Sequence, residues 1–364
     1  RAWRKELRGC LMMRPTIKSI AALTGYSVGT VSKALRNEPS VKTDTREEIQ
    51  DLARKQGYEA NLEGVKLRTG KTLRLAVLIN TFGPLETEWE GIEFSHILGG
   101  IAKSLQGTRY QMGVYAAVDF ESSFAEIRRI VNGKLADGLI FSGTLPDDPR
   151  IAFLQENAFP FVTYGMSRSA IEHSYVDIDS ESTAFDATHR LITLGHRRIA
   201  FFNPPETLMY AQQRIAGYAR AHREAVIPID QALIQSGQVS AQFGKAKFLE
   251  LANSIQPPTA YICANEALAL GILAGAGDVG QRPGIDFVVN SMDDLTTSAY
   301  FTPPLTTFHV PIMTTSLKLG EFLMRAIAGE PPHNLQLKIR PRLIERQSDE
   351  LGVEPPATNG SMLT

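Results

Sequence analysis

The residues able to do chemistry in this 364-residue sequence are scattered rather than assembled. Its seven histidines stand singly, and Cys10 and Cys263 lie far apart with no further Cys or His at the spacing a metal ion needs. No glycine-rich phosphate loop or nucleophile elbow is present. Asp177 and Asp179 are two residues apart, which on a strand turns both carboxylates to one side, but no nucleophile or orienting group accompanies them. A catalytic constellation therefore does not form, and no cofactor or metal is expected. The chemistry left is recognition. Trp89, with Glu90 and Glu93 in the same long loop, offers an aromatic face beside carboxylates, and would serve equally well to pack that loop on its domain. Charge supplies a second signal. Residues 1–72 carry 15 Lys and Arg against 8 Asp and Glu, whereas residues 73–364 carry 23 against 31. A small basic module on an acidic body points to a polyanion at one end and a different partner at the other.

These groups must be held by defined elements. The length and an apolar content of 43% call for two or three folding units. No apolar run is long enough to cross a bilayer, and the patch Leu11-Met12-Met13 is too short for a secretory signal, so a cytoplasmic protein is expected. Thr16 is placed to cap a short helix in which Ile17, Ile20 and Ala21 share a face. Thr24-Gly25-Tyr26 breaks it, Gly25 supplying the positive φ a sharp reversal needs. Ser27 caps a second helix with Val28, Val31 and Leu35 inward, which Asn37-Glu38-Pro39-Ser40 ends. Thr43-Asp44 opens a third, carrying Ile49, Leu52 and Ala53 to a Gly57-Tyr58 terminus. Residues 14–60 thus read as a three-helix helix-turn-helix, preceded by a disordered extension at 1–13 and followed by a polar linker at 61–72.

From Leu73 the pattern turns to strands alternating with helices. Strands are predicted at 73–79, 110–115, 138–142 and 160–164, with helices at 92–105, 124–132 and one ending near Ala158. A second set repeats the rhythm: strands at 198–202, 232–236, 260–263 and 286–290, helices beginning near Thr183, Gln212, Gln242 and Ala267. Crossovers of this length imply parallel sheets covered on both faces, so residues 73–348 read as a two-lobed, doubly wound α/β domain. The tail at 349–364 reads as disordered.

Three stretches of the helical module carry a specific signature: Thr16-Ile17-Lys18-Ser19-Ile20-Ala21, then Ser27-Val28-Gly29-Thr30-Val31-Ser32-Lys33-Ala34-Leu35, then Thr45-Arg46 with Gly57-Tyr58. They resemble the DNA-binding domain of the lac repressor (LacI/GalR) family. The resemblance implies that Val28, Gly29 and Lys33 face base edges in the major groove. Lys33 can donate to guanine, Val28 offers a thymine-methyl contact, and Gly29 has no side chain to read with. Ser27, Thr30, Thr45 and Arg46 are assigned to phosphate, and Thr16 and, in the linker, Asn61 join the DNA contacts. Leu67 matches the linker leucine that wedges into a minor-groove step when two protomers sit on DNA, and Gly64 lowers the helix propensity of that linker by about 1 kcal/mol.

The large domain carries the resemblance onward to Ser348 and implies a fold like a periplasmic sugar-binding protein, with an effector held between the lobes. Leu191-Ile192-Thr193-Leu194-Gly195-His196-Arg197-Arg198 is its clearest marker and reads as structural. Arg214, Asn265 and Asp293 match the family's effector-binding arginine, asparagine and aspartate, a set that supplies donors and acceptors to a vicinal diol. Tyr210, Trp89 and Phe94 are further candidates. Gly165 stands where the family often has an acidic residue, and the Asp177 region is where the chain crosses between lobes. The resemblance makes the protein a transcription regulator, expected to be a repressor in the bacterial cytoplasm, on the nucleoid when bound. It would bind a pseudo-palindromic operator as a homodimer, with helices 92–105 and 267–276 as interface candidates. Its effector would be a sugar or polyol, alternatively a purine or nucleoside. The rival from another class is a free-standing sugar receptor, which the helix-turn-helix argues against.

Overall fold

The computed structural model describes residues 15–58, 66, 70–80, 90–170, 172–294 and 297–350, with 90–93 by backbone alone. Asn61, Leu67, Trp89, the extension 1–13 and the tail beyond Glu350 lie outside these residues. The chain divides into a small unit ending at Thr72 and a large one beginning at Leu73.

The small unit is three helices: α1 (Ile17–Thr24), α2 (Val28–Leu35) and α3 (Thr43–Lys55). Each of the first two is only eight residues long, too short to persist alone. Local caps and a shared core hold them. Thr16 accepts from the Ser19 N–H while Ser19 bonds back to Thr16, closing a reciprocal box, and Gly25 ends α1 at φ 74°. Ser27 caps α2 through the Thr30 N–H at 3.1 Å. Ile20, Ala21, Val31, Ala34, Val41, Ile49 and Ala53 form the buried centre. The inward face of α2 is therefore Val31 and Ala34. Val28 is exposed instead, at 44%, because it is the first residue of the helix, beside the Ser27 cap, where the core of Val31 and Ala34 does not reach.

The large unit holds two six-stranded sheets. In the first lobe the elements are β1 (Arg74–Asn80), α4 (Glu90–Ser104), β2 (Gln111–Ala117), α5 (Phe120–Asn132), β3 (Gly138–Ser142), α6 (Pro149–Glu156), β4 (Phe161–Tyr164) and β5 (Tyr175–Ile178). The second lobe follows with α7 (Ser180–Thr193), β6 (Ile199–Asn203), α8 (Met209–Glu224), β7 (Ile234–Ser236), α9 (Ala241–Ala252), β8 (Ala260–Cys263), α10 (Glu266–Val279), β9 (Val288–Ser291) and β10 (Thr306–His309). The chain then returns to the first lobe with α11 (Ile312–Ile327) and β11 (Gln336–Ile339), and ends in the second with β12 (Arg342–Ile344). Strand orders are β11-β5-β4-β3-β1-β2 and β12-β10-β9-β8-β6-β7, parallel throughout except for β10 with β12. Three connections thus cross between the lobes, after β5, β10 and β11. The elements beyond Ser291 have no counterpart among the predicted ones.

The apolar runs read as strands are the centre of each lobe: Leu75, Val77, Ile140 and Val162 in the first, and Ile199, Phe201, Ile262 and Val288 in the second. Cys263 is a buried core residue. Gly195 adopts φ 101° after α7, and His196 is buried with its Nδ1 2.9 Å from Thr259 Oγ1, so that segment is structural. The predicted tail begins too early: Asp349 is buried and accepts from Arg190 Nε at 2.5 Å.

Helices α7 and α8 approach so closely that a Cβ at Gly217 would lie 2.0 Å from the Glu181 carbonyl oxygen. Gly217→Ala must push α8 off its neighbour, and is expected to destabilise the large unit by about 1–3 kcal/mol. The check is a urea denaturation midpoint; an unchanged midpoint would mean that the two helices separate at no cost.

Candidate functional site

In the small unit, α2 presents Val28, Gly29 and Lys33 outward while Val31 and Ala34 bury the opposite face. The hydroxyls of Ser27 and Thr30 lie 2.9 Å apart. One donates to the other, so a single O–H of the pair is left to point outward at the helix N-terminus, where a phosphate oxygen would be favoured. Thr45 and Arg46 lie half-buried in the first turn of α3. Thr16 is committed to its cap through Ser19. The geometry gives α2 an exposed face that bears Lys33 and the apolar Val28.

In the large unit, the polar residues collect at the carboxyl ends of the parallel strands, where α/β sheets leave a crevice. Arg214 lies on α8, with Nη2 3.4 Å from Asp293 Oδ1 and Nη1 3.4 Å from the Ala264 carbonyl. Asp293 follows β9 and Ala264 follows β8, so two neighbouring strand ends meet the guanidinium. Both contacts are long for charge-assisted bonds and leave donor capacity on the arginine. Tyr210, one turn earlier, lies under the guanidinium with 5.2 Å from its carbon to the ring centroid. Asn265 adjoins Ala264 and caps α10, its Oδ1 accepting from the Leu268 N–H at 3.0 Å. Its amide hydrogens remain for another partner. Burial and the nearby Glu266 hold the Asp293 carboxyl above the ordinary range, and Arg214 opposes them. Glu266 is itself tied to Thr297 and Ser298, fixing the segment after Asp293.

Arg214, Asn265, Asp293 and Tyr210 therefore come together. Phe94 does not join them; it packs half-buried against the core of the first lobe, because its position on α4 turns it toward that lobe's own strands. Gly165 has φ 102°, and a Cβ there would lie 3.1 Å from Thr144 Oγ1, so the end of β4 cannot readily carry an acidic side chain. Several polar groups at the strand ends were not anticipated as site residues. Asn80 closes β1 and donates to the Ser142 carbonyl at 2.6 Å. Asn203 closes β6 and donates to the Ala211 carbonyl at 3.0 Å. Asp177 is buried on β5, accepting from the Met166 N–H at 3.3 Å, and Gln213 reaches toward it from α8. Asp179, by contrast, caps α7 and pairs with Lys338. An asparagine ending an apolar run is the signal that would have found the first two.

Two family models match the chain: bacterial regulatory proteins of the lacI family over residues 16–61, and a periplasmic binding protein-like domain over residues 188–348. Residues 16–61 thus carry the lacI-family DNA-binding module. Among curated relatives, the chain is 29% identical to the HTH-type transcriptional regulator AglR of Rhizobium meliloti, over 92% of this chain and 94% of that protein. It is 28% identical to the HTH-type transcriptional regulator CelR of Thermobifida fusca, over 92% and 98%. Among solved structures, a transcriptional regulator CelR–cellobiose complex aligns at 25% identity with a TM-score of 0.68, covering 92% of this chain and all of that one. The lac repressor dimer bound to operator aligns with a TM-score of 0.77 at 22% identity, over 93% and 99%, and so shares the fold. The relatives are transcriptional regulators. Among the described residues, no helix is long and apolar enough to cross a membrane and no cluster of side chains could hold a metal ion.

Proposed function

We propose that this lacI-family regulator binds a pseudo-palindromic DNA operator as a homodimer, acting as a repressor whose affinity is set by a small sugar or polyol bound between the two lobes of the large unit. The observation that carries the reading is the meeting of Arg214, Asn265 and Asp293 at adjacent strand ends, in a chain whose small unit exposes Val28 and Lys33 on a capped helix. Guanidinium, amide and carboxylate together offer the donors and acceptors that adjacent hydroxyls require. The cellobiose held by a relative of the same architecture agrees with this chemistry. Ligand that binds one lobe arrangement better than another shifts the spacing of paired DNA-binding modules, a coupling of typically ~1–3 kcal/mol.

The test is selection of duplexes from a random library by the full-length protein, followed by anisotropy titration of the selected site with and without cellobiose, maltose, sucrose, polyols and nucleosides. A two-fold-symmetric site whose dissociation constant moves severalfold with one carbohydrate is the expected result. A selected site indifferent to every compound, or movement with a nucleoside alone, would overturn the carbohydrate assignment. Lys33→Ala is expected to weaken the selected site by about 1–2 kcal/mol and relax preference at one base pair per half-site. A uniform loss across all sequences would place Lys33 on the phosphates instead.

A further inference from the structure

Five buried side-chain atoms at the meeting of the two lobes find no hydrogen-bonding partner among the described residues: Asn80 Oδ1, Asp177 Oδ2, Asn203 Oδ1, Gln213 Oε1 and Arg214 Nε. Their orientations are set by bonds already made. Asn80 gives its amide hydrogens to Ser142 and Asn203 gives its own to Ala211, which identifies the open atom of each as the carbonyl oxygen. Asp177 uses Oδ1 for the Met166 N–H, and Gln213 turns its amide group toward Asp177. The first two turns of α8 are where the second lobe touches the carboxyl edge of the first. Met209 N–H donates to the Thr144 carbonyl at 2.8 Å, and Arg168 Nη2 donates to Gln212 Oε1 at 2.9 Å. Asp177 faces this same stretch of α8, one residue from Arg214.

The inventory is lopsided. Four of the five open atoms accept and one donates, so whatever satisfies them must bring hydrogens. A hydroxyl-rich molecule does that. A carboxylate or phosphate, which only accepts, would meet carbonyl oxygens with Asp177 on one lobe and Asp293 on the other. We propose that Asp177 is an effector-binding residue of the first lobe: with Gln213 it accepts hydroxyl hydrogens from a neutral polyhydroxylated ligand held by Arg214 and Asp293 on the second, and so favours the uncharged sugar over its phosphate ester. The inference rests on the cleft being the effector site. Gly165 beside it holds a φ of 102° that strains any side chain, with a tight approach to Thr144 Oγ1, so β5 supplies the carboxylate that the end of β4 does not. The Asp177 carboxyl is held at about 6, chiefly by burial.

The experiment is calorimetric titration of the full-length protein with cellobiose, maltose, glucose and the 6-phosphate of each, for wild type, Asp177→Asn and Arg214→Ala, with a melting temperature taken for each protein without sugar at pH 7. The expected result is a neutral sugar bound by wild type more than tenfold tighter than its phosphate, a tenfold or larger loss in Asp177→Asn, and a melting temperature in that variant at or above wild type. A sugar bound equally well by wild type and Asp177→Asn, yet lost in Arg214→Ala, would overturn the assignment and leave the effector cleft standing. A lowered melting temperature in Asp177→Asn without sugar would make Asp177 a strut between Met166 and Gln213, and also overturn it. Silence of wild type toward all six compounds would remove the sugar reading of the cleft and this assignment with it.

Discussion

Arg214→Ala is expected to weaken the effector sugar by about a hundredfold or more, leaving operator binding intact but unresponsive. A guanidinium bonding hydroxyls directly contributes about 1.5–3 kcal/mol per charge-assisted bond, and more than one donor of Arg214 is within reach of the cleft. The same substitution leaves the Asp293 carboxylate beside Glu266 without its cation, which raises the cost of keeping it charged. Some loss of stability follows, about 1–2 kcal/mol given that the Asp293 side chain is one-third exposed. Asp293→Asn should remove part of that loss when combined with Arg214→Ala, since the uncompensated charge goes with it. Anisotropy on the selected operator, with and without sugar, separates the two effects. A variant that binds operator normally and still responds to sugar would show that Arg214 serves only to join α8 to the ends of β8 and β9.

The second large effect is one of pH. The carboxyl of Asp177 lies at about 6, against 3.8 when free. Burial raises it, and the Met166 N–H, Lys338 and Gln213 oppose that rise; Tyr175 also faces it and does not titrate in this range. Between these two values the folded protein binds more protons at this site than the unfolded chain. The contribution of Asp177 therefore falls as pH rises from about 4 to about 6, by about 3 kcal/mol in total, and stays low above. Other carboxylates run the opposite way: Asp119 and Asp286 are held below the ordinary range by their hydrogen bonds, so their stabilisation is lost on acidification. The isolating measurement is the stability difference between wild type and Asp177→Asn from urea denaturation across pH 4 to 7. The variant should gain on wild type from pH 4 to about 6 and keep that lead to pH 7. A constant difference would show that Asp177 has the same pKa in the folded and unfolded chain, as an ordinary surface aspartate does.

The alternation of apolar strand runs with helices was enough to place both lobes, because a strand buried on two faces is apolar along its whole length: Leu75 to Leu78 and Ile199 to Phe202 are buried almost without interruption. The elements after Ser291 escaped this reading for a physical reason. β10 is Thr306–His309, polar at three of its four positions, with both threonines buried, and β11 and β12 are short edge strands of mixed polarity. Which sheet such a strand joins is decided by packing, not by its own residues. At the cleft, Arg214, Asn265 and Asp293 were legible only by resemblance, and their convergence needed the fold. Asn265 carries a helix cap that its loop position did not announce. Asp177 was visible as one of a spaced pair, but spacing cannot tell that one carboxylate is sealed between lobes while Asp179 two residues on is tied up in a cap.

Because the sheet of the first lobe is completed by β11, the ribosome builds that lobe in two instalments. At about 5–20 residues per second, the open edge of β5 waits roughly ten to thirty seconds for its last neighbour. Through that interval the nascent chain presents an unpaired strand edge and the unshielded faces that α11 will cover. Nor can the lobe be borrowed whole for a chimaera: a cut anywhere between Ile178 and Gln336 parts β5 from the strand beside it. Swapping sensing domains among such regulators would have to exchange residues 73–350 as one piece.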